Sequence, residues 1–289
     1  MTQSNTRLGI LLMTGVSIVF AVQDGLSRHL AGEYNVFMVV MIRYWFFAAF
    51  VLTIAARKAG GLRVAARTRR PVLQALRGLL LAAEICVMVG AFVLLGLVES
   101  HAIFTCYPLL IAALSWPILG ERVGWRRWLA IAIGFLGVLI ILQPGLRVFS
   151  PYAIVPLISS CMFALYGLLT RLAARTDDAA TSFFWTGTVG AFAMTCVGAW
   201  FWEPMSSSDW GWMLCLCLTG VAGHWLLIRC YEVAEVSAVQ PFAFLQMVFA
   251  TAVGIAVFGE TLKLNVAVGA SIVVAAGLFT LWRERQVAS

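Results

Sequence analysis

The sequence predicts an all-α integral membrane protein with ten transmembrane helices, arranged as two inverted five-helix repeats around a central cavity. Three observations lead to this prediction: the composition, a series of long apolar runs and an internal repeat. Of the 289 residues, 62% are hydrophobic and 11% are charged, whereas about a quarter of the residues of a soluble domain are charged. A soluble globule could not hide so much apolar surface from water, so we expect the surrounding solvent to be lipid.

Ten apolar runs, separated by charges, glycines or prolines, have lengths near the roughly 20 residues that a spanning helix requires. They cover residues 8–30, 36–56, 71–96, 100–118, 126–142, 151–173, 180–202, 210–230, 237–258 and 265–282. The first run is long enough to span and is not followed by a small-residue cleavage site, so we expect a retained helix. Most linkers are short, but residues 57–70 form a longer linker with six basic side chains.

An internal repeat divides these runs into two sets of five. Residues 20–28 read FAVQDGLSR and residues 163–171, which lie 143 positions later, read FALYGLLTR, with four of the nine positions identical. A Gly-Glu pair at 120–121 recurs at 259–260, an offset of 139. Long internal repeats in a hydrophobic chain are typical of transporters built from two similar halves. We therefore expect one repeat in residues 1–145 and the second in residues 146–289.

The basic residues predict the orientation of the helices. If the N-terminus is cytoplasmic, sixteen of the twenty Lys and Arg fall on the cytoplasmic side, three fall outside, and Arg43 stays within the membrane. This distribution follows the positive-inside rule and predicts that both termini are cytoplasmic. Five helices per half is an odd number, so the second half must enter from the opposite side. The net charge of +7 is then a property of the inward face, and no nucleic-acid partner is expected.

Several stretches of both halves resemble the EamA units of the drug/metabolite transporter superfamily. They are Arg43-Tyr44, Arg77-Gly78-Leu79, Ser100 through Pro108 to Arg122, Gly134 to Gly137, Gly223-His224, Ser237 through Pro241 to Glu260, and Gly277. The resemblance covers about residues 8 to 282 and implies a ten-helix carrier of small molecules in a bacterial inner membrane. The size and plan are most similar to the YddG-type exporters, which implies export of aromatic amino acids. The second half departs from the pattern at Gln246, where the repeat alignment places the counterpart of Tyr107.

Asp24 and Arg43 are charged residues within the first two predicted helices. These helices are antiparallel neighbours and the two side chains share a depth, so we expect an ion pair. The pair either only locks the two helices together, which we favour, or acts as an outer gate or a contact for a zwitterion.

Glu84 and His224 occupy corresponding positions near the bilayer centre, in the third and eighth predicted helices. A buried ionisable group requires either a polar partner or a cavity that contains water. Either residue could therefore bind a substrate ammonium group or exchange a proton. The alternative is a hydrogen-bonded carboxylic acid and a neutral core imidazole.

Tyr107 and Gln246 are repeat counterparts near the middle of the fourth and ninth predicted helices. Both lie near a proline, which removes a backbone donor and favours a kink next to a binding site. Gln23 and Tyr166 also occupy matching positions and are weaker candidates for substrate contacts. Trp225 is a deep aromatic residue that could face the pathway, although such residues more often face lipid or pack in the core.

Three classes of function remain to be weighed: a secondary transporter, an intramembrane enzyme and a channel. The three histidines lie at different predicted depths, no Ser/His, paired-Asp or metal-binding constellation is visible, and no phosphate-binding loop of the P-loop type occurs. We expect no catalytic residues, metal or cofactor, and we interpret the seven cysteines as packing residues. We expect a secondary transporter that exports amino acids by alternating access; the alternative is a carrier of another metabolite or drug, in either direction. We expect it to act as a monomer surrounded by lipid.

Overall fold

A computed structural model describes residues 6–57, 61–120, 124–142, 151–233 and 240–288. The secondary structure of these residues is helical. The α-helices are α1 Thr6–Glu33, α2 Val36–Arg57, α3 Gly61–Ala65, α4 Pro71–Leu95, α5 Leu97–Phe104, α6 Tyr107–Leu119, α7 Trp125–Leu142, α8 Ile154–Ala173, α9 Ala179–Gly198, α10 Ser207–Val233, α11 Leu245–Phe258 and α12 Leu264–Ala288. Short 3₁₀ turns at Pro151–Ala153, Ala199–Phe201 and Gln240–Phe244 adjoin α8, α9 and α11.

Seven of the described helical segments are long and apolar enough to cross a membrane. They are Arg7–Glu33, Val36–Arg57, Pro71–Leu95, Leu97–Ser115, Pro151–Ala173, Ala179–Phe201 and Ser207–Leu227. Three shorter apolar helices accompany them, at Trp128–Leu142, Phe242–Phe258 and Leu264–Phe279. The predicted all-helical membrane class is confirmed, and the count of ten crossings stays a prediction.

The fourth predicted span is a broken helix. α5 ends at Phe104 and α6 begins at Tyr107, with Pro108 in its first turn. Proline is tolerated there because the amide groups of a first turn have no partner within the helix. The break therefore places backbone polar groups inside the protein, next to Tyr107.

The helices pair across the two halves in a pattern that a twofold axis would produce. α1 packs on α10, and the corresponding helices of the opposite halves, α8 and α4, pack on each other. α2 packs on its own counterpart α9, and α7 packs on its counterpart α12. In the α7–α12 pair the backbones approach closely, because a Cβ on Gly137 would lie 2.7 Å from the Gly269 carbonyl oxygen.

The two ends of the bundle differ in charge. The basic end is the end at which α4 and α9 begin, next to the Arg-rich linker between α2 and α4. There Asp177 accepts hydrogen bonds from Thr68 and, at 2.8 Å, from Gln74 Nε2. Burial would raise the pKa of Asp177, but these bonds, one from the Arg69 amide and the charge of Arg70 hold it below its ordinary value.

The acidic end is the opposite one, at which α2 and α10 begin. Tyr34 Oη donates a hydrogen bond of 2.6 Å to Asp209 Oδ2, and the Asn35 amide donates one of 2.9 Å to Glu203 Oε1. These contacts hold the start of α2 against Glu203, which precedes α10, and against Asp209 in the first turn of α10. Because α2 and its counterpart α9 begin at opposite ends, the second half is inverted relative to the first in this structure.

Glu260, from the second Gly-Glu pair, joins the two halves at the acidic end. Its carboxylate accepts hydrogen bonds of 2.8 Å from the amides of Leu97 and Val98, at the start of α5. It also forms an ion pair with Arg28 of α1. A carboxylate at a helix N-terminus satisfies free amides and interacts favourably with the helix dipole. Glu260 therefore stabilises a helix of the opposite half.

We predict that Glu260→Gln lowers the free energy of unfolding by about 1–3 kcal/mol, because it removes a charged acceptor from three hydrogen-bonding groups. The matched control is Glu99→Gln at the same end, whose partner is Lys263 at 2.6 Å. The Lys263 side chain is 50% exposed, against 20% for Arg28, so the control should cost roughly 0.2–1 kcal/mol. Thermal unfolding in detergent, followed by tryptophan fluorescence, measures both. Equal effects of the two substitutions would contradict the capping role.

Candidate substrate-binding site

A small cavity lies between the two halves, where α2, α4 and α10 meet. It is lined by Arg43, Tyr44, Phe47, Leu81, Ile85, Cys217, Gly220, Val221 and His224. Its volume is about 30 Å³, which is room for roughly two water molecules. Pockets that hold small molecules have volumes of roughly 300–1,000 Å³, so this cavity is too small for a substrate in this conformation.

Arg43 lies in this cavity without a charged partner. Within the described part of the chain it donates no hydrogen bond and has no carboxylate within 4.0 Å, while its Nε lies 3.8 Å from the Cβ position of Gly220. Gln23 Oε1 lies 3.4 Å from that same position. Gln23 Oε1 and Tyr44 Oη are both buried and have no hydrogen-bond partner among the described residues. The cavity and its border thus hold a cation and two polar atoms that have no hydrogen-bond partner among the described residues.

The expected ion pair between Asp24 and Arg43 is not formed. Asp24 Oδ2 instead accepts a hydrogen bond of 3.0 Å from Gln246 Nε2 of α11. His101 Nε2 of α5 lies 3.1 Å from the same oxygen, at ion-pair distance but without hydrogen-bond alignment. Consecutive residues of a helix point about 100° apart, so Gln23 points towards Gly220 of α10 while Asp24 faces α5 and α11. The sequence predicts that Asp24 and Arg43 lie at the same depth, but equal depth does not determine the direction in which each side chain points.

Glu84 is buried in the middle of α4, with 4% of its surface exposed. Ser159 of α8 donates a hydrogen bond of 2.6 Å from its Oγ to Glu84 Oε1. Glu84 also lies within electrostatic range of Arg43 and Asp24. Among the described residues, this part of the interior holds two carboxyl groups, Glu84 and Asp24, and the guanidinium group of Arg43, which has no ion pair. Each carboxyl group has a partner from the second half.

His224 is surrounded by aromatic rings. Its ring centroid lies 5.4, 5.8 and 6.0 Å from those of Phe20, Phe47 and Phe183. Its Nδ1 lies 2.8 Å from the Gly220 carbonyl oxygen. An imidazole held in this way presents a flat, weakly polar surface that suits another planar ring.

Trp225, the other deep aromatic candidate, does not reach this interior. Its surface is 54% exposed and lies on the outside of α10. The reason is again the rotation of the helix, because Trp225 follows His224 directly and therefore points about 100° away.

Tyr107 and Tyr166 belong to a second aromatic group, formed with Phe104 and Phe163. The Tyr107 and Phe163 rings meet edge to face at 4.9 Å, and the Phe163 and Tyr166 centroids lie 6.1 Å apart. Phe163 and Phe20 are repeat counterparts, so each half contributes one phenylalanine to an interior aromatic group.

Six of the seven predicted substrate contacts face the interface between the halves. They are Glu84, Tyr107, Tyr166, His224, Gln246 and Gln23.

Arg77 is the main residue that the sequence analysis misplaced. It was counted with the cytoplasmic charges, yet it is 1% exposed and lies seven residues into α4. Its guanidinium group donates to Thr170 Oγ1 at 2.8 Å and lies 5.2 Å from the centre of the Tyr166 ring. Its position inside the apolar run 71–96 was the signal that could have shown it to be buried.

The profile of the EamA-like transporter family matches the chain twice, over residues 7–143 and 150–282. A solved crystal structure superimposes with a TM-score of 0.61 at 17% identity and covers all of both chains. That likeness concerns the fold.

Three curated relatives span most of the chain. An S-adenosylmethionine uptake transporter of Rickettsia prowazekii is 23% identical, covering 93% of this chain and 90% of its own length. A riboflavin transporter of Rhizobium johnstonii is 27% identical, covering 97% and 93%. A pseudopaline exporter of Pseudomonas aeruginosa is 23% identical, covering 93% and 94%. With both halves matched by the same profile, the chain belongs to the EamA-like transporter family.

Proposed function

We propose that the protein is a secondary carrier that moves a small polar metabolite with a planar ring across the bacterial inner membrane. Transport proceeds by alternating access, in which the two halves rock about the interior site. The observation that carries this proposal is the small polar cavity at the interface of the halves. Among the described residues Arg43 forms no ion pair there, and the cavity has room for about two water molecules, so binding of a substrate requires the halves to part.

The proposed topology has ten crossings in two units, residues 1–145 and 146–289. The three shorter apolar helices supply the crossings beyond the seven long ones. The basic end faces the cytoplasm, in accord with the positive-inside rule, and both termini lie on that side. The chain works as a monomer surrounded by lipid.

The relatives favour a change in the substrate class that we expected from the sequence. S-adenosylmethionine and riboflavin each combine a planar nitrogen heterocycle with a flexible polar chain, and neither relative is named for amino acid export. The two interior aromatic groups, around His224 and around Phe163, provide surfaces for such a ring. We therefore place a metabolite carrier ahead of the export of aromatic amino acids by a YddG-type protein.

The remaining interior residues contact the rest of the substrate. Glu84 receives a cationic group, since its carboxylate has one hydrogen-bond donor, Ser159, and can accept more. Asp24 and Gln246 act together at the junction of α1 and α11.

Counterflow in proteoliposomes tests the carrier function. Purified protein is loaded with unlabelled S-adenosylmethionine, riboflavin, phenylalanine or threonine, and entry of the labelled compound is followed. We expect saturable exchange of S-adenosylmethionine or riboflavin that exceeds the exchange of either amino acid. Exchange of phenylalanine alone would restore the amino acid assignment, and unsaturable flux of every compound would indicate a channel.

Glu84→Gln tests the role of the central carboxylate in that assay. Loss of a charged hydrogen-bonding partner costs about 1.5–3 kcal/mol, so the half-saturating concentration of a cationic substrate such as S-adenosylmethionine should rise by roughly ten- to a hundredfold. Riboflavin, which carries no cation, should be affected less. Glu99→Gln, at the surface, is the control. An equal effect on both compounds would assign Glu84 to structure rather than to substrate binding.

A further inference from the structure

Two arginines, the half-buried Arg43 and the fully buried Arg77, lie at similar depths below opposite ends of the bundle. Arg43 follows the start of α2 by seven residues, and Arg77 follows the start of α4 by six. At 1.5 Å per residue, each lies roughly 10 Å inside its end, within a hydrocarbon core of about 30 Å. α2 begins at the acidic end and α4 begins at the basic end. The Arg43 guanidinium group therefore lies on the acidic side of the central Glu84, and that of Arg77 lies on the basic side.

Arg77 is satisfied by neutral groups alone. Its guanidinium donates to Thr170 Oγ1 at 2.8 Å, to Tyr166 Oη and Thr186 Oγ1 at 3.4 Å each, and to Gln74 Oε1. Within the described residues, no carboxylate lies within 4.0 Å of it. A cation in a membrane interior is costly, and neutral oxygens offset only part of that cost.

Arg43 has fewer contacts still. It donates no hydrogen bond within the described part of the chain. Tyr44 also lines its cavity, and Gln23 Oε1 lies beside the cavity residue Gly220. Tyr44 Oη and Gln23 Oε1 are buried and have no hydrogen-bond partner among the described residues. An anion in this cavity could accept hydrogen bonds from Arg43 and from Tyr44.

The surroundings of the two arginines are related by the internal repeat. Tyr166, which contacts Arg77, is the counterpart of Gln23 at an offset of 143, and Thr186, which also contacts Arg77, is the counterpart of Arg43 at the same offset. The Arg43 group is built by α1, α2 and α10. The Arg77 group is built by the corresponding helices α8, α9 and α4. The two groups occupy equivalent places in the two halves, although their arginines come from different helices.

We propose that Arg43 and Arg77 are two successive binding stations for an anionic group of the substrate, a carboxylate or a phosphate. This inference rests on the carrier function proposed above. When the acidic end is open, the anion binds Arg43; when the basic end is open, it binds Arg77. Each guanidinium gains a counter-ion only while substrate is bound, and a bidentate contact to a carboxylate or phosphate fits its geometry.

The other charges of the interior fit the same substrate. Asp24 is occupied by Gln246 and His101, and Glu84 by Ser159. A substrate with an anion alone would be repelled by Glu84, whereas a zwitterion presents its cation to Glu84 and its anion to an arginine. The stations therefore select compounds in which an anionic group accompanies the ring.

Matched pairs of compounds test the proposal in wild-type protein by counterflow. The pairs are S-adenosylmethionine with its decarboxylated form and phenylalanine with phenethylamine, since each parent compound carries both a cation and a carboxylate. In each pair that is carried, the anionic member should exchange about tenfold faster or more, as expected for one charged contact. Equal or faster exchange of the decarboxylated members would overturn the two stations and leave the carrier function standing. No exchange of any compound would refute the carrier function, and the stations with it.

Side-specific variants separate substrate binding from a purely structural role. Arg43→Gln should raise the half-saturating concentration of the anionic compound about tenfold or more when it is added at the acidic end. Arg77→Gln should do so at the basic end, in vesicles of uniform orientation. The control is Arg57→Gln, at the exposed end of α2, which should change neither value.

If Arg77→Gln fails to fold, Arg77→Lys replaces it. This variant keeps the charge but loses the planar guanidinium group, and it should weaken binding at the basic end alone. Equal changes at both ends, or unaltered preference for the anionic member of each pair, would refute the proposal.

Discussion

The structure depends on one constraint: a polar or charged group within a membrane must find its partner inside the protein. Here those partners repeatedly come from the opposite half. Glu84 of α4 is held by Ser159 of α8, and Asp24 of α1 by Gln246 of α11. Glu260 of the second half caps α5 of the first. The interface between the halves is therefore held by hydrogen bonds as well as by apolar packing.

This arrangement also suits the opening of the interface that the proposed alternating access requires. Apolar packing between helices in lipid brings little net gain, because lipid chains are as apolar as the side chains they replace. Hydrogen bonds between the halves are specific, and they can be exchanged for bonds to a polar substrate or to water that enters with it. The glycine contact between α7 and α12 lies at the edge of the assembly, away from the polar interior. We expect this contact to persist while the polar interior rearranges.

Much of the architecture could be predicted from the sequence because it follows from patterns that repeat along the chain. The apolar runs predicted the helices, and the offset of 143 predicted the likeness of the two halves. The distribution of arginines agreed with both. The depth of Glu84, Gln246 and Tyr166 followed from their place in each run. The direction of a side chain did not, because a single residue turns a helix by about 100°. That is why Asp24 turned away from Arg43, and why Trp225 faces outward beside His224. The contact from Glu260 to α5 was also hidden, since Leu97 and Glu260 lie 163 positions apart in the sequence.

The central claim is the proposal that the two halves move in opposite senses at the two ends of the bundle. Paired spin labels test it directly in a cysteine-free, transport-competent variant, since the chain has seven cysteines. One pair sits at the basic end, at Val72 and Ala180, and its repeat counterpart at the acidic end, at Ser208 and Phe37. Distances are measured in lipid with and without a transported compound. We predict that one distance lengthens as the other shortens. Two distances that stay fixed, or that change together, would contradict alternating access between the halves.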